Sequence, residues 1–174
     1  MTEIKTTNRL TLIIIILVVS LIIGFVSGFM YNDSKNETNG VMLSSGPELE
    51  KIQTVTNEFV EAWIKGDAEG CANTYSVDAV FMTPDQPSYH GRQAITERYE
   101  KMFKSRNDSA IIEMKETVHD VIYFNDWAVM RGSGYETRKG VETKETYKWI
   151  ILAKRQPSGK WETVWDIFND VESI

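Results

Sequence analysis

The sequence contains few of the residues that build covalent or metal-based scaffolds. Its 174 residues include one cysteine, Cys71, and two histidines, His90 and His119. A single cysteine cannot close an intramolecular disulfide, and a structural zinc site needs about four Cys or His ligands. The sequence therefore excludes a disulfide-stapled scaffold and a structural zinc site. We expect Cys71 to be a small buried core residue, and we expect no metal and no cofactor.

Positive charge is also scarce. The chain has 19 Lys and Arg against 25 Asp and Glu, a formal net charge of −6. Residues 1–47 carry three charges of each sign, so the excess falls on residues 48–174. Nucleic-acid phosphates and anionic lipid headgroups bind basic stripes, which this acidic part of the chain does not offer. The composition therefore argues against a nucleic-acid partner.

One long stretch near the N-terminus contains no charged residue. As a helix rising ~1.5 Å per residue, residues 10–31 (LTLIIIILVVSLIIGFVSGFMY) would be ~33 Å long, enough to cross a hydrocarbon core of ~30 Å. The stretch predicts a transmembrane anchor. The alternative is a cleaved secretory signal, whose apolar part normally runs ~7 to 15 residues. Val26-Ser27-Gly28 is a weak candidate for its cleavage site.

The flanking charges predict the orientation of this segment. Lys5 and Arg9 precede it and only Lys35 follows it, which places residues 1–9 in the cytoplasm. The remainder then faces outward, or is secreted if the segment is cleaved. Residues 32–47 are polar and rich in turn formers, typical of a flexible linker. Residues 48–174 are enough for one compact domain.

The first half of this domain has helical patterns. Apolar residues from Leu49 to Trp63 recur at steps of 3, 3, 4 and 4, the spacing of one helix face. Gly66 is suited to end that helix, and Asp67 to cap a short second one. Gly91 opens a third helix. The sequence therefore predicts three helices before the chain changes character.

The second half has the pattern of strands. After a short strand at 78–82, residues 110–124, 127–138, 142–155 and 161–169 are β-rich runs separated by short turns, typical of an antiparallel meander. Helices on one face of such a sheet make an α+β domain, and a curved sheet around helices leaves a concave pocket. Apolar residues on both faces of the last strands predict a homodimer through the outer sheet face.

Four segments of the domain carry a resemblance to a known superfamily. They are Phe59 to Asp67, Tyr75 to Pro84, His90 to Ile95 and Gly159 to Asn169. In this order and spacing they resemble the cone-shaped superfamily of nuclear transport factor 2, ketosteroid isomerase and SnoaL-like polyketide cyclases, and within it the SnoaL-like branch. The resemblance covers residues 48–174. It implies a curved antiparallel sheet wrapped around about three helices, with a pocket inside.

The resemblance also bears on catalysis. Ketosteroid isomerase uses an aspartate base and an oxyanion hole of a tyrosine and a protonated aspartic acid. Aligned on Gly66-Asp67 and Asp78-Ala79, the tyrosine falls at Phe59 and the base at Thr83. Phenylalanine has no proton to donate, and threonine is not a base at neutral pH. Isomerisation by that mechanism is therefore not expected.

Two residues are candidates for catalysis. SnoaL-like cyclases use an aspartate as acid/base, and Asp166 is the candidate here. Strand alternation gives it Val164 and Phe168 as same-face neighbours, and such burial would raise its pKa. Asp166 could instead be a structural acceptor for a backbone amide or for Arg131. His90 follows a loop that borders the pocket mouth in the superfamily, and it is a proton shuttle, a ligand contact or merely solvated.

The resemblance and the aromatic content predict a pocket. The expected function is binding of a small apolar or amphipathic molecule. The alternatives are a cyclase, isomerase or hydratase that uses Asp166, and a non-catalytic protein-interaction module. Arg131 could bind a ligand carboxylate or pair with Glu145. An open pocket favours the first two functions and a filled one favours the third. The residues expected to line the pocket are Phe59, Trp63, Phe81, Thr83, Tyr99 and Arg131.

Overall fold

The computed structural model describes residues 40–106 and 111–171 of the chain. These residues belong to one compact unit, Asn39–Ile174. The predicted transmembrane segment at 10–31 and the residues before it lie outside the described part. Within the described ranges, no helix is long and apolar enough to cross a membrane.

The helices form where the sequence predicts them. Gly66 closes the first helix in the left-handed conformation at φ 66°, which glycine adopts without strain. The Asp67 side chain caps the second helix by accepting a hydrogen bond from the Gly70 amide at 2.9 Å. Both predicted helix boundaries are confirmed. The helices are α1 (Pro47–Lys65), α2 (Ala68–Ala72) and α3 (Arg92–Ser105).

The strands of the described residues form one seven-stranded sheet. The strands are β1 (Val41–Met42), β2 (Tyr75–Met82), β3 (Tyr89–His90), β4 (Ile111–Phe124), β5 (Trp127–Arg138), β6 (Glu145–Arg155) and β7 (Trp161–Val171). Their order in the sheet is β1-β4-β5-β6-β7-β2-β3. From β4 to β7 the strands make the predicted antiparallel meander, but β2 joins β7 in parallel, which the sequence did not predict. The α+β class is confirmed.

The sheet begins inside the segment predicted as a linker. Val41 pairs with Tyr123 and Met42 with Ile122 at the edge of β4. The Leu43 amide extends this pairing by donating to the Val121 carbonyl at 2.9 Å. Residues 41–43 are thus attached to the sheet through backbone hydrogen bonds, which a pattern of side chains does not reveal.

Two buried clusters join the helices to the concave side of the sheet. One packs Ile52 and Val55 of α1 against Met130 and other residues of the meander. The other gathers residues of α2, α3 and β2, and it includes Cys71. Burial raises the pKa of the Cys71 thiol to about 12, so this cysteine is a core residue, as predicted.

A bulge in β7 changes which of its side chains face inward. Leu152 pairs with Trp165 and Ala153 with Thr163, so Val164 is an extra residue on β7. An extra residue shifts the alternation of a strand by one position. As a result Thr163 and Asp166 both face the interior cavity, and Val164 does not line it. The predicted neighbour Phe168 does share the face of Asp166, whereas Val164 does not.

Candidate functional site

A cavity of about 260 Å³ lies between the concave face of the sheet and helices α1 and α3. Pockets for drug-sized ligands measure roughly 300–1,000 Å³, so this one suits a smaller molecule. Aromatic and charged residues are equally numerous in its walls, and both buried clusters contribute to the aromatic part. The aromatic lining residues are Phe59, Trp63, Tyr75, Phe81, Tyr99, Tyr147, Trp149 and Phe168.

Asp166 lies in the cavity wall at the end of a hydrogen-bond chain. The Tyr75 hydroxyl donates to Asp166 Oδ2 at 2.5 Å. Because the proton of Tyr75 is used there, the Tyr99 hydroxyl, 2.8 Å away, donates to Tyr75. Asp166 Oδ1 makes no hydrogen bond to another described residue. The chain therefore orients Asp166 and leaves one of its oxygens available to the cavity.

The surroundings of Asp166 alter its acidity. By surface area the residue is half-buried, but it lines the cavity, deep among protein atoms. Burial raises the pKa of Asp166 to about 6, and the hydrogen bond from Tyr75 opposes that rise. Burial and the neighbouring carboxylate also raise the pKa of Tyr75 and Tyr99. Asp166 therefore titrates close to neutral pH, whereas the two phenols stay protonated.

Local contacts hold Tyr75 in place at the start of β2. Arg92 Nε, in the first turn of α3, donates to the Tyr75 carbonyl at 2.9 Å, and Arg92 also pairs with Glu162 at 3.3 Å. Phe81 on β2 lies opposite Asp166 in the parallel pairing with β7. The unpredicted parallel strand thus brings both Tyr75 and Phe81 to the aspartate.

A second acid, Glu116, also lines the cavity and was missed by the sequence reasoning. The Tyr147 hydroxyl donates to Glu116 Oε1 at 2.7 Å, and Trp149 Nε1 donates to Oε2. Burial raises the pKa of Glu116 to about 7, the two donors lower it, and the charge of Asp166 raises it. The two acids are thus close enough to influence each other electrostatically.

Two glycines on β5 allow the contacts to Glu116. Gly134 pairs with Glu116 on β4 and with Tyr147 on β6. A Cβ on Gly134 would lie 2.5 Å from Tyr147 Oη. A Cβ on Gly132 would meet the Trp149 ring and lie 2.5 Å from the Thr117 carbonyl oxygen. Since glycine has no Cβ, both rings cross β5 and reach Glu116 two strands away.

A paired group of charges lines another part of the cavity. Glu136 is buried and accepts hydrogen bonds from Trp63 Nε1 at 2.7 Å and from Arg138 Nε at 2.8 Å. Arg106 also pairs with Glu136 at 3.6 Å and lies over the Trp63 ring. Arg138 additionally binds Glu145 at 2.8 Å. We call Arg106, Arg138, Glu136 and Glu145 the arginine–glutamate cluster.

One further arginine in the wall has different surroundings. Arg98 on α3 lies 5.8 Å over the Tyr89 ring, and among the described residues it forms no ion pair. Its Nε and the Thr83 hydroxyl are buried without a hydrogen-bond partner in the described part of the chain. Both residues line the cavity. They are polar groups that a ligand could still satisfy.

The structure brings most of the predicted site residues together. His90 is an exception, because it is exposed on the edge strand β3 and does not line the cavity. Arg131 is the other, because it alternates along β5 with the inward Met130 and is exposed on the outer face. There it pairs with Asp120, and not with Glu145. The predicted residues that line the cavity are Asp166, Phe59, Trp63, Phe81, Thr83 and Tyr99.

The arrangement can move or accept protons and can hold a charged or polar group. A carboxyl that titrates near neutral pH can donate a proton when protonated and accept one when ionised. Asp166 accepts from a tyrosine rather than from a backbone amide or Arg131, the two partners that the sequence suggested. Within residues 40–106 and 111–171, no group of three or more His, Cys, Asp or Glu could hold a metal ion.

Solved structures share this fold at low sequence identity. A ketosteroid isomerase-like protein from Erwinia carotovora atroseptica SCRI1043 has a TM-score of 0.62 and 24% identity, over 74% of this chain and 100% of that one. A cystatin-like domain of unknown function from Nostoc punctiforme PCC 73102 has a TM-score of 0.65 and 17% identity, over 75% and 82%. A nuclear transport factor 2-like protein from Pseudomonas putida KT2440 has a TM-score of 0.61 and 16% identity, over 72% and 87%.

These similarities establish the fold and leave the chemistry open, because function depends on the site rather than the scaffold. No curated protein matches the chain. The family model of the SnoaL-like domain matches residues 56–165, more than half of the chain. The protein therefore belongs to the SnoaL-like domain family.

Proposed function

We propose that the protein binds a small amphipathic molecule in the cavity of its SnoaL-like domain. One observation carries this proposal: an aromatic-walled cavity of about 260 Å³ contains the Asp166 carboxyl, oriented by Tyr75 and with Oδ1 available. The aromatic rings would hold the apolar body of the ligand. The polar group of the ligand would contact Asp166 or Glu116.

The cost of this arrangement supports a binding role. Protein cores are close-packed, and a residual cavity lowers stability in proportion to its volume. Burying a carboxyl that has no cationic partner lowers stability further. A cavity that combines both features is typical of a ligand site. A filled cavity would have favoured a protein-interaction module, and this cavity is open.

Native mass spectrometry of the full-length protein, purified in mild detergent, tests the proposal. We expect a co-purifying small molecule in wild type. In Thr83→Trp the new indole would occupy the cavity, so the bound mass should be lost. Thr117→Trp is the matched control, because Thr117 is exposed on β4. Loss of the bound mass in both variants, or binding that Thr83→Trp leaves intact, would contradict a site in this cavity.

Catalysis by Asp166 is the second candidate function. The observation that favours it is the pKa of Asp166, which burial raises to about 6, close to where a general acid or base works at neutral pH. The reaction would be a cyclisation, an isomerisation or a hydration with Asp166 as the proton carrier. An enzyme should lose turnover in Asp166→Asn and still bind its substrate, whereas a binding protein should show no turnover to lose.

Attachment to the membrane is proposed from the sequence. Residues 10–31 would span the bilayer with the N-terminus in the cytoplasm, so that the SnoaL-like domain faces outward. The full-length protein should then stay in the membrane fraction after a carbonate wash. Protein in the wash, with an N-terminus near Phe29, would indicate a cleaved signal.

The outer sheet face is proposed to pair with a second copy of the chain. Ile150, Trp165 and Ile167 are all exposed there. Ile150 pairs with Ile167, and Trp165 pairs with Leu152 in the same two strands, so they form one apolar patch. Such patches commonly mark interfaces. Analytical ultracentrifugation at micromolar concentration should give a dimer that Ile150→Glu dissociates, and a strictly monomeric wild type would contradict it.

A further inference from the structure

We infer, on the basis of the ligand-binding function proposed above, that the ligand is a small organic cation. It would carry an ammonium group on an apolar body, with the positive charge bound by Asp166 and Glu116. This identifies the ligand class from the charges and rings that line the cavity.

The first support is that neither acid has a cationic partner. Among the described residues, Asp166 and Glu116 form no ion pair. Their hydrogen-bond donors are the neutral groups of Tyr75, Tyr147 and Trp149. Burial raises the pKa of both acids, and their neutral donors lower it. The charge of Asp166 also raises the pKa of Glu116. No arginine contributes to either pKa.

The second support is the balance of charge in the cavity wall. Two of the three arginines already bind Glu136 or Glu145 in the arginine–glutamate cluster. The acids outnumber the arginines, so the local field favours a positively charged ligand. The acids of the wall are Glu116, Glu136, Glu145, Asp166 and Asp170, and the arginines are Arg98, Arg106 and Arg138.

The third support is the aromatic surface near the two acids. Phe168 shares the inner face of β7 with Asp166 and pairs with Trp149, the donor to Glu116. Phe168 also stacks on Phe81 with ring centroids 5.9 Å apart and meets the Tyr147 ring edge-on at 6.4 Å. Ring faces attract ammonium groups, most strongly where water is excluded. The acids and the rings thus favour the same kind of ligand.

Arg98 is the feature that would favour an anion instead. Its buried Nε lacks a partner in the described part of the chain, and a ligand carboxylate could supply one. Such an anion would share the cavity with Asp166, Glu116 and the exposed Asp170. Like charges in one site repel, so a cation fits the whole cavity better than an anion does.

Three probes that differ in charge and share one skeleton test the inference. They are 3-phenylpropylammonium, 3-phenylpropan-1-ol and 3-phenylpropanoate, titrated calorimetrically into the full-length protein at pH 8. Both acids are ionised there, because their pKa values are about 6 and about 7. We expect the ammonium compound to bind at least about tenfold more tightly than the alcohol, as charge-assisted hydrogen bonds allow. The propanoate should bind most weakly.

Variants show whether the two acids cause the preference. Asp166→Asn and Glu116→Gln should each bring the affinity ratio of ammonium to alcohol toward one. Asp120→Asn is the control, because Asp120 pairs with Arg131 on the outer face, and it should keep the wild-type ratio. If one cavity variant does not fold, the other still decides the question, since each acid should contribute to the ratio.

Three results would overturn the inference. Equal binding of ammonium and alcohol would leave the binding function standing and contradict only the cationic ligand. Tightest binding of the propanoate, lost in Arg98→Gln, would indicate an anion held by Arg98. Binding of none of the three probes would contradict the proposed binding function and the ligand class together.

Discussion

Two sets of carboxylates in the same cavity have opposite surroundings. Glu136 is buried and contacts two arginines and the Trp63 indole. Asp166 and Glu116 are held only by neutral hydroxyl and indole donors. The charge of Glu136 is compensated by the protein's own arginines, whereas the charges of Asp166 and Glu116 remain available to a ligand. Glu136 therefore stabilises the fold, whereas Asp166 and Glu116 are suited to bind a ligand.

Physical chemistry explains why the two sets should respond differently to mutation. Removing one member of a buried ion pair leaves the other charge without compensation, which is strongly destabilising. Removing a buried carboxylate that has no cation relieves a desolvation penalty instead. Loss of Glu136 should therefore damage the fold, and loss of Asp166 should not.

The largest effect is expected for Glu136→Ala. It would remove the buried carboxylate that Arg106 and Arg138 share and that accepts from Trp63 Nε1, so we expect a loss of about 3–5 kcal/mol in the free energy of unfolding by urea. Glu145→Ala is the matched control, because Glu145 binds the same Arg138 with an exposed side chain. That variant should lose less than about 1 kcal/mol. Equal losses would mean that burial does not distinguish the two acids.

The unpaired acids should make stability fall as pH rises. Their folded pKa values, about 6 and about 7, exceed those of ordinary carboxyls. Between about pH 4 and pH 7 the unfolded chain therefore releases these protons before the folded one does, which favours unfolding. We expect each of the two acids to lower stability by up to about 3 kcal/mol over that window.

Urea unfolding across pH 4 to 8 checks this dependence. The double variant Asp166→Asn with Glu116→Gln should lose that component of the pH profile. Its stability relative to wild type should thus increase with pH. Parallel profiles for the two proteins would show that these acids do not have raised pKa values.

A smaller effect is expected for Gly132→Ala on β5. The added Cβ would meet the Trp149 ring and the Thr117 carbonyl oxygen, and such overpacking costs about 1–3 kcal/mol. Displacing Trp149 also removes a donor from Glu116, so the pKa of Glu116, followed by NMR, should rise above about 7. Ser133→Ala, one residue along the strand, should change stability by less than about 0.5 kcal/mol. An unchanged pKa of Glu116 would contradict the role given to Gly132.

Local features of the fold were predictable from the sequence, because they depend on nearby residues. The helical spacing from Leu49 to Trp63, the left-handed Gly66 and the Asp67 cap are all present. The meander follows from short turns between β-rich runs. The parallel pairing of β2 with β7 was not predictable in this way, because it joins residues far apart in the chain.

The site was predictable only where alternation along a strand holds. Asp166 was identified correctly as a cavity residue, but the bulge at Val164 changed its neighbours. Glu116 was missed because polar residues occupy both faces of β4. One pattern could have indicated that Glu116 is contacted from a distant strand. Gly132 and Gly134 on β5 leave room for the large rings of Trp149 and Tyr147, which face them on β6. His90 and Arg131 carry suitable chemistry, but the backbone directs them away from the cavity.

Thermal unfolding of wild type and Asp166→Asn at pH 8, with and without the molecule that co-purifies, tests the central claim most directly. If Asp166 is a functional acid, the melting temperature without ligand should stay nearly the same or increase, and the stabilisation by ligand should decrease. A variant that loses about 1–3 kcal/mol, the cost of a broken buried hydrogen bond, and still binds its ligand normally would contradict the account, because Asp166 would then be only a structural acceptor for Tyr75.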